Sequence, residues 1–200
     1  MHKVGVLALQ GDFREHIEAL RAAGAEARAV RRPADLTGLD ALIIPGGEST
    51  TIRRLLAVYE LGDPIRARAA SGFPVYGTCA GCILLAHDVD GTPAPPLGLM
   101  DIGVRRNAYG RQIDSFETDL AVPALGARPL RAVFIRAPRI ERVGPEVEVL
   151  ARLEDDTVVA ARQANLLVST FHPELSGDSR FHRYFLEQVV AGSGQRLAVS

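Results

Sequence analysis

The chain has 200 residues, 47% hydrophobic and 24% charged, with a net charge of −1, so it can bury a real core but carries no basic footprint for nucleic acid. No apolar run approaches membrane-spanning length, and the opening Met1-His-Lys-Val-Gly-Val enters a strand pattern instead of a signal peptide. The two cysteines, Cys79 and Cys82, lie too close in sequence to staple a secreted fold, and the expectation is one cytoplasmic domain over residues 1–200 with no nucleic-acid or membrane partner.

Val4 to Leu9 is a nearly continuous apolar run, the pattern of a strand covered on both faces. Asp12 offers an N-cap with Glu15 three residues later. Phe13, Ile17 and Leu20 then recur at helical spacing, so Asp12 to Ala23 reads as an amphipathic helix stopped by Gly24. Glu26 to Val30 is a second strand, and 33–39 a connector. Ala41 to Ile44 is a third, buried strand ending in Pro45-Gly-Gly-Glu-Ser49. Ile52 to Tyr59 and Pro64 to Ala70 read as helices. Val75-Tyr76 enters Gly77, and the apolar run Ala80 to Ala86 leaves it.

Val89 to Leu99, rich in Pro and Gly, reads as a loop. Ile113 to Leu120, Ala132 to Ile135, Val147 to Leu153, Val158 to Arg162 and Leu166 to Phe171 read as strands. Ser179 to Val190 reads as a closing helix, followed by a frayed tail from Ala191. Alternating strands and helices followed by strand-rich sequence predict an α/β fold. Its three layers are a mostly parallel central sheet, flanking helices and additional antiparallel strands. In such sheets ligands collect beyond the carboxyl ends of the strands. Gln10, Gly46-Gly47 and Cys79 all follow strands at that end.

Gly77-Thr-Cys-Ala-Gly81 is a cysteine version of a nucleophile elbow. Its glycines permit a tight strand-to-helix turn. The turn puts Cys79 at a helix start, where unpaired N–H groups favour a thiolate over the ordinary thiol, whose pKa is about 8.5. A buried structural cysteine fits the same five residues. Cys79 and Cys82 also form C-x-x-C, a redox pair or half a zinc site, though a structural zinc needs four ligands and no second cysteine pair exists. No metal site is expected.

His172 and Glu174 flank Pro173 after an apolar strand, and residues i and i+2 of an extended segment share a side. A carboxylate on one imidazole nitrogen fixes the tautomer and leaves the other as a base. His2, His16, His87 and His182 lack such a partner. His16 is a possible contact residue near Gln10, and His182 is expected on the surface of the last helix. Pro45-Gly-Gly-Glu-Ser49 either presents backbone N–H groups to an oxyanion or is an ordinary turn. Arg105, Arg106, Arg111 and Arg136 are candidate carboxylate clamps.

Taken together these stretches resemble the class I, triad-type glutamine amidotransferases, and within them the glutaminase branch that serves pyridoxal 5′-phosphate synthesis. The resemblance runs through Val6 to His16, Pro45 to Thr51, Gly77 to Gly81, Asn107 to Glu117, Phe134 to Pro138 and Phe171 to Leu175. It implies Cys79 as nucleophile, His172 as base and Glu174 as its orienting partner. It implies glutamine contacts at Gly47, Glu48, Ser49, Arg106, Ile135 and Arg136, and oxyanion donors at Gly47 and Ala80. Gln10 would lie near the partner and help gate the oxyanion site.

The resemblance further implies that L-glutamine is hydrolysed to glutamate and ammonia through a glutamyl thioester. The ammonia would pass to a synthase subunit in a hetero-oligomer, where it is combined with ribose 5-phosphate and glyceraldehyde 3-phosphate. Pyridoxal 5′-phosphate would then be the pathway product, and the chain itself would need no cofactor. Cys82 stands where the family has an aliphatic residue, and Asp12 where it has a small one. Two other readings stay open on sequence: a thiol–disulfide oxidoreductase using Cys79 and Cys82, and a non-catalytic binding module on the same fold.

Overall fold

The computed structural model describes residues 1–90, 97–106 and 115–192. The first half alternates β1 (Lys3–Leu7), α1 (Phe13–Ala22), β2 (Glu26–Val30), β3 (Ala41–Ile44), α2 (Ser49–Val58), α3 (Gly62–Ala70), β4 (Val75–Thr78) and α4 (Ala80–Leu85). The second half is strand-rich: β5 (Ala86–Val89), β6 (Met100–Arg105), β7 (Ser115–Leu120), β8 (Leu130–Ile135), β9 (Arg139–Val143), β10 (Glu148–Arg152), β11 (Val158–Gln163) and β12 (Leu166–Ser169). The last elements of the described residues are α5 (Arg180–Tyr184) and the wider π-type turns that continue it over Phe185–Val190. No helix of the described residues is long and apolar enough to cross a membrane.

The main sheet runs β2-β1-β3-β4-β12-β11-β9-β6-β5, with β10 added on β11, while β7 and β8 pair separately. From β2 to β12 every neighbour is parallel; from β12 through β6 the pairs are antiparallel. The parallel strands β3, β4 and β12 are buried along their whole length, which is why they read as continuous apolar runs. Ile52, Leu56, Ile65, Leu84 and Leu85 build the core on one face. Leu20, Phe181, Phe185 and Val189 build it on the other, together with Phe134 from the β7–β8 pair. Phe171 and Phe181 meet edge to face at 5.3 Å, a favoured aromatic geometry.

Several local expectations change. Asp12 makes no side-chain cap on α1; its carboxylate is turned toward His172 instead. α2 begins at Ser49, three residues early, because the Glu48 side chain accepts from the Thr50 and Thr51 N–H groups and supplies the cap. The strands β5, β6 and β9 were not expected: β5 flows out of the same apolar run as α4, and β6 and β9 hold to the sheet by pairing with each other, a long-range cause invisible to local periodicity. The expected strand from Ile113 begins, among described residues, at Ser115, and the tail beyond Gly192 lies outside the described residues.

Candidate functional site

Four adjacent parallel strands, β1, β3, β4 and β12, deliver their carboxyl ends to one edge. Gln10 follows β1, Gly46 and Gly47 follow β3, Cys79 follows β4 and His172 follows β12. The register pairs Thr78 with Ser169, so the two chains leave the sheet side by side.

At the elbow Cys79 has φ 48° and ψ −102°, a left-handed φ that a non-glycine residue holds at a cost of about 1–3 kcal/mol. Its N–H donates to the Ser169 carbonyl at 2.8 Å, which ties the strained residue to β12. A Cβ on Gly77 would meet the Gly81 backbone at 2.6 Å, and one on Gly81 would collide with the Ile44 carbonyl. Both glycines are thus required for α4 to fold back over β3 and β4. Cys79 is 6% exposed, and its sulfur lies 3.9 Å from the Ile135 carbonyl oxygen.

His172 is held from two directions. Its N–H donates to the Val133 carbonyl at 2.8 Å, docking it on β8. Its Nδ1 lies 2.7 Å from Glu174 Oε1, and the Cys79 side chain is near enough to favour its charged form. Burial works against a charged imidazole here, but Cys79 and Glu174 outweigh it and raise the His172 pKa to about 10. Burial raises the Glu174 carboxyl, against the opposing pull of His172. The Glu174 side chain is fully buried. A proton taken up by this pair is therefore held far more firmly than on a free imidazole.

The glycine turn closes over the imidazole. A Cβ on Gly46 would collide with the His172 ring, and Gly47 has φ 146°, backbone that favours glycine. Gln10 Oε1 accepts the Glu48 N–H at 2.8 Å, so the residue after β1 holds the turn after β3. The Glu48 carboxylate is committed to capping α2: burial acts against it, but the Thr51 and Thr50 hydrogen bonds hold its pKa below the usual range. Glu48 therefore offers a ligand its backbone more readily than its charge. Ser49 is buried in the first turn of α2, and Ala80 is buried beside Cys79.

Arg106 reaches Thr50 Oγ1 at 3.2 Å and Glu48 Oε1 at 3.5 Å, so it sits at this turn. Ile135 is 37% exposed beside the thiol, and Arg136 follows it, exposed, with φ 43°. Arg105 is instead paired with Glu141 across β6 and β9, and Arg111 lies outside the described residues. The site residues named from the sequence thus converge on one edge, while Arg105 is engaged elsewhere.

One expectation about histidines is overturned. His182 is not on the surface: it is fully buried, as is His16. Helical periodicity near a chain end cannot show that α5 presses both faces into the molecule against α1 and Tyr76. His16 Nδ1 lies 2.9 Å from His182 Nε2, and His16 Nε2 lies 3.0 Å from Thr78 Oγ1. His16 is also 3.3 Å from Glu174 Oε2, so it belongs to the underside of the site. Sequence reasoning missed this link because α1 and α5 meet only through the tertiary fold.

Cys82 packs inside the apolar core, fully buried, and burial together with the neighbouring Cys79 pushes its thiol far up. Both cysteines are free thiols, and a buried protonated Cys82 is a poor attacking group for disulfide exchange. Among the described residues, Asp12, His172 and Glu174 bring possible metal-ligand atoms within 4.8 Å of one another. His172 Nδ1 and Glu174 Oε1 already face each other, so a cation there would separate the pair.

The profile of the SNO glutamine amidotransferase family matches residues 6–191. Pyridoxal 5'-phosphate synthase subunit PdxT of Carboxydothermus hydrogenoformans is 56% identical over 190 residues, covering 95% of this chain and 99% of that protein. The protein of the same name from Roseiflexus castenholzii is 60% identical over 186 residues, covering 92% and 98%. A crystal structure of a glutamine amidotransferase superposes with a TM-score of 0.88 at 54% identity, over 94% of this chain and 98% of that one. The structure of PurLQS from Thermotoga maritima shares the fold with a TM-score of 0.69 at 19% identity, over 99% and 100% of the two chains.

Proposed function

The chain belongs to the SNO glutamine amidotransferase family, and from that membership we propose that it hydrolyses glutamine through Cys79, His172 and Glu174 and supplies the ammonia for pyridoxal 5′-phosphate synthesis. The observation that carries the residue roles is the adjacency of β4 and β12, which sets the thiol of Cys79 against an imidazole whose other nitrogen meets Glu174.

With the proton of the Cys79–His172 pair on the imidazole, the Cys79 sulfur attacks the side-chain carbonyl carbon of glutamine. The Gly47 and Ala80 N–H groups hold the developing oxyanion; losing one such donor typically costs about 10²–10³ in rate. His172 returns the proton to the departing nitrogen, the C–N bond breaks and ammonia leaves. The glutamyl thioester is then attacked by water that gives its proton to His172, and glutamate and the free thiol are released. Arg106 and Arg136 hold the substrate α-carboxylate by charge-assisted hydrogen bonds, and Ile135 walls the site. No cofactor enters these steps.

Free ammonia in bulk water would be mostly protonated and no longer nucleophilic. The relatives named as subunits of pyridoxal 5'-phosphate synthase support delivery to a synthase subunit in a hetero-oligomer, with Gln10 gating the glycine turn when that partner docks. Two free thiols support a reducing, cytoplasmic setting. The test is ammonia release from glutamine by wild type and Cys79→Ala, with and without the synthase subunit. Weak wild-type turnover stimulated by the partner, and none in the variant, is expected. Turnover by Cys79→Ala would overturn the nucleophile, and equal wild-type rates with and without partner would overturn the coupling.

A further inference from the structure

Beneath Glu174 lie two buried imidazoles that the reaction above does not use. His16 comes from α1 and His182 from α5, and neither has any exposed surface. Burial, then His182 and His172, hold the His16 pKa well below its ordinary value. Burial alone lowers that of His182 to about 4. Both rings are therefore neutral near pH 7, and two protons must be placed on four nitrogens.

The surroundings place them. His182 Nδ1 is buried with no hydrogen-bond partner among the described residues. An orphaned N–H is among the rarest buried groups, whereas a bare lone pair is more readily tolerated. The His182 proton therefore belongs on Nε2, which donates across 2.9 Å to His16 Nδ1. That leaves His16 its own proton on Nε2, facing Thr78 Oγ1 at 3.0 Å and Glu174 Oε2 at 3.3 Å. Oε2 accepts no hydrogen bond of its own among the described residues; the His16 N–H, bonded to Thr78, lies 3.3 Å away and turns the positive end of its dipole to that side. The reverse tautomers would set a nitrogen lone pair against carboxylate lone pairs in the interior, which is costly.

We propose that His16, locked in its Nε2–H tautomer by His182, is a positioning residue: it supports the Oε2 edge of Glu174 so that Oε1 stays aimed at His172. The line of groups Cys79, His172, Glu174, His16 and His182 then runs from the mouth of the sheet to the closing helix. The proposal rests on reading Glu174 as the partner of His172. The titratable groups facing Glu174 are His172 on its own turn, Asp12 before α1, His16 on α1 and Tyr76 on β4. Those facing His16 are His182, His172 and Glu174.

Two measurements on the full chain, assayed with its synthase partner, decide it. Nitrogen-15 spectra of histidine-labelled wild type should show His16 and His182 protonated at Nε2 and bare at Nδ1; a His16 proton on Nδ1 would overturn the proposal whatever the variants do. His16→Leu should lower kcat on the order of 10- to 100-fold, the loss seen when a group behind a metal-bound imidazole is removed, with KM unchanged. Its acidic limb should move to higher pH, because a carboxylate that loses a nearby N–H dipole holds its proton longer. His16→Gln, whose amide nitrogen can stand in for Nε2, should restore most of the rate. A folded His16→Leu with wild-type kcat and an unmoved limb overturns the role. Glu174→Gln run alongside separates the two layers: if it is inactive while His16→Leu is normal, only this proposal falls, and if it is fully active, the parent reading falls and takes this one with it.

Discussion

The Cys79 N–H donates to the Ser169 carbonyl at 2.8 Å, and this one bond converts a sheet register into a distance across the candidate site. It fastens the elbow to β12 one residue beyond the last paired position, Thr78 with Ser169. His172 lies three residues past Ser169, so its ring meets the thiol from the neighbouring strand end. Neither strand alone places sulfur against imidazole. The parallel pairing does, because it sends both chains out of the sheet in the same direction.

Gly46→Ala should separate activity from stability. The added methyl would collide with the His172 ring, and the ring must shift away from Glu174 or Cys79. A displacement of about 1 Å in a catalytic group can cost about 10²-fold. We expect kcat for glutamine hydrolysis to fall by about that factor while the urea midpoint moves little. A variant with normal kcat would show that the turn has room to yield.

Cys82→Ala should do the opposite. Cys82 is in the core and away from the reacting atoms, so its loss should cost about 1 kcal/mol in stability and leave kcat within about twofold, since one thiol suffices for a thioester. Denaturant unfolding and the ammonia assay check the two halves. An inactive, folded variant would revive a paired-thiol chemistry.

Stability should decline on both sides of about pH 6.5, the ordinary imidazole value. The depressed His182, with pKa about 4, contributes stability that is complete above about 6.5 and is lost as pH falls through about 4. The unfolded chain takes up a proton there that the folded chain refuses, which amounts to about 3 kcal/mol. His16 is shifted in the same direction and adds to the acid loss. His172 is raised to about 10, so its contribution is complete below about 6.5 and is lost as pH rises through about 10. Urea midpoints between pH 4 and 10 test this: His182→Leu should flatten the acid side, and His172→Gln the alkaline side. Unchanged slopes in both would refute the assignment.

The parts of the candidate site were legible in local sequence because each is local. An elbow needs Gly77 and Gly81 beside Cys79, where a side chain would strike the Gly81 backbone or the Ile44 carbonyl. The His172–Glu174 pair, two residues apart, was readable as an imidazole beside a carboxylate, and the two meet at 2.7 Å. The parallel half of the sheet was legible for a similar reason, since strands buried on both faces, such as Ala41–Ile44, must be apolar throughout.

What no window of sequence contained is the set of contacts between distant segments. The strands β6 and β9 exist as a pair, and neither carries a strong period by itself. His16 and His182, 166 residues apart, become neighbours only when α1 and α5 cover the same face of the sheet. The burial of His182 reverses what its helix suggested alone. Residue type and spacing determined which groups could react, because backbone turns and hydrogen-bond chemistry act over a few residues. Packing decided which groups meet and which imidazoles lose their charge, because burial and long-range pairing are properties of the assembled fold.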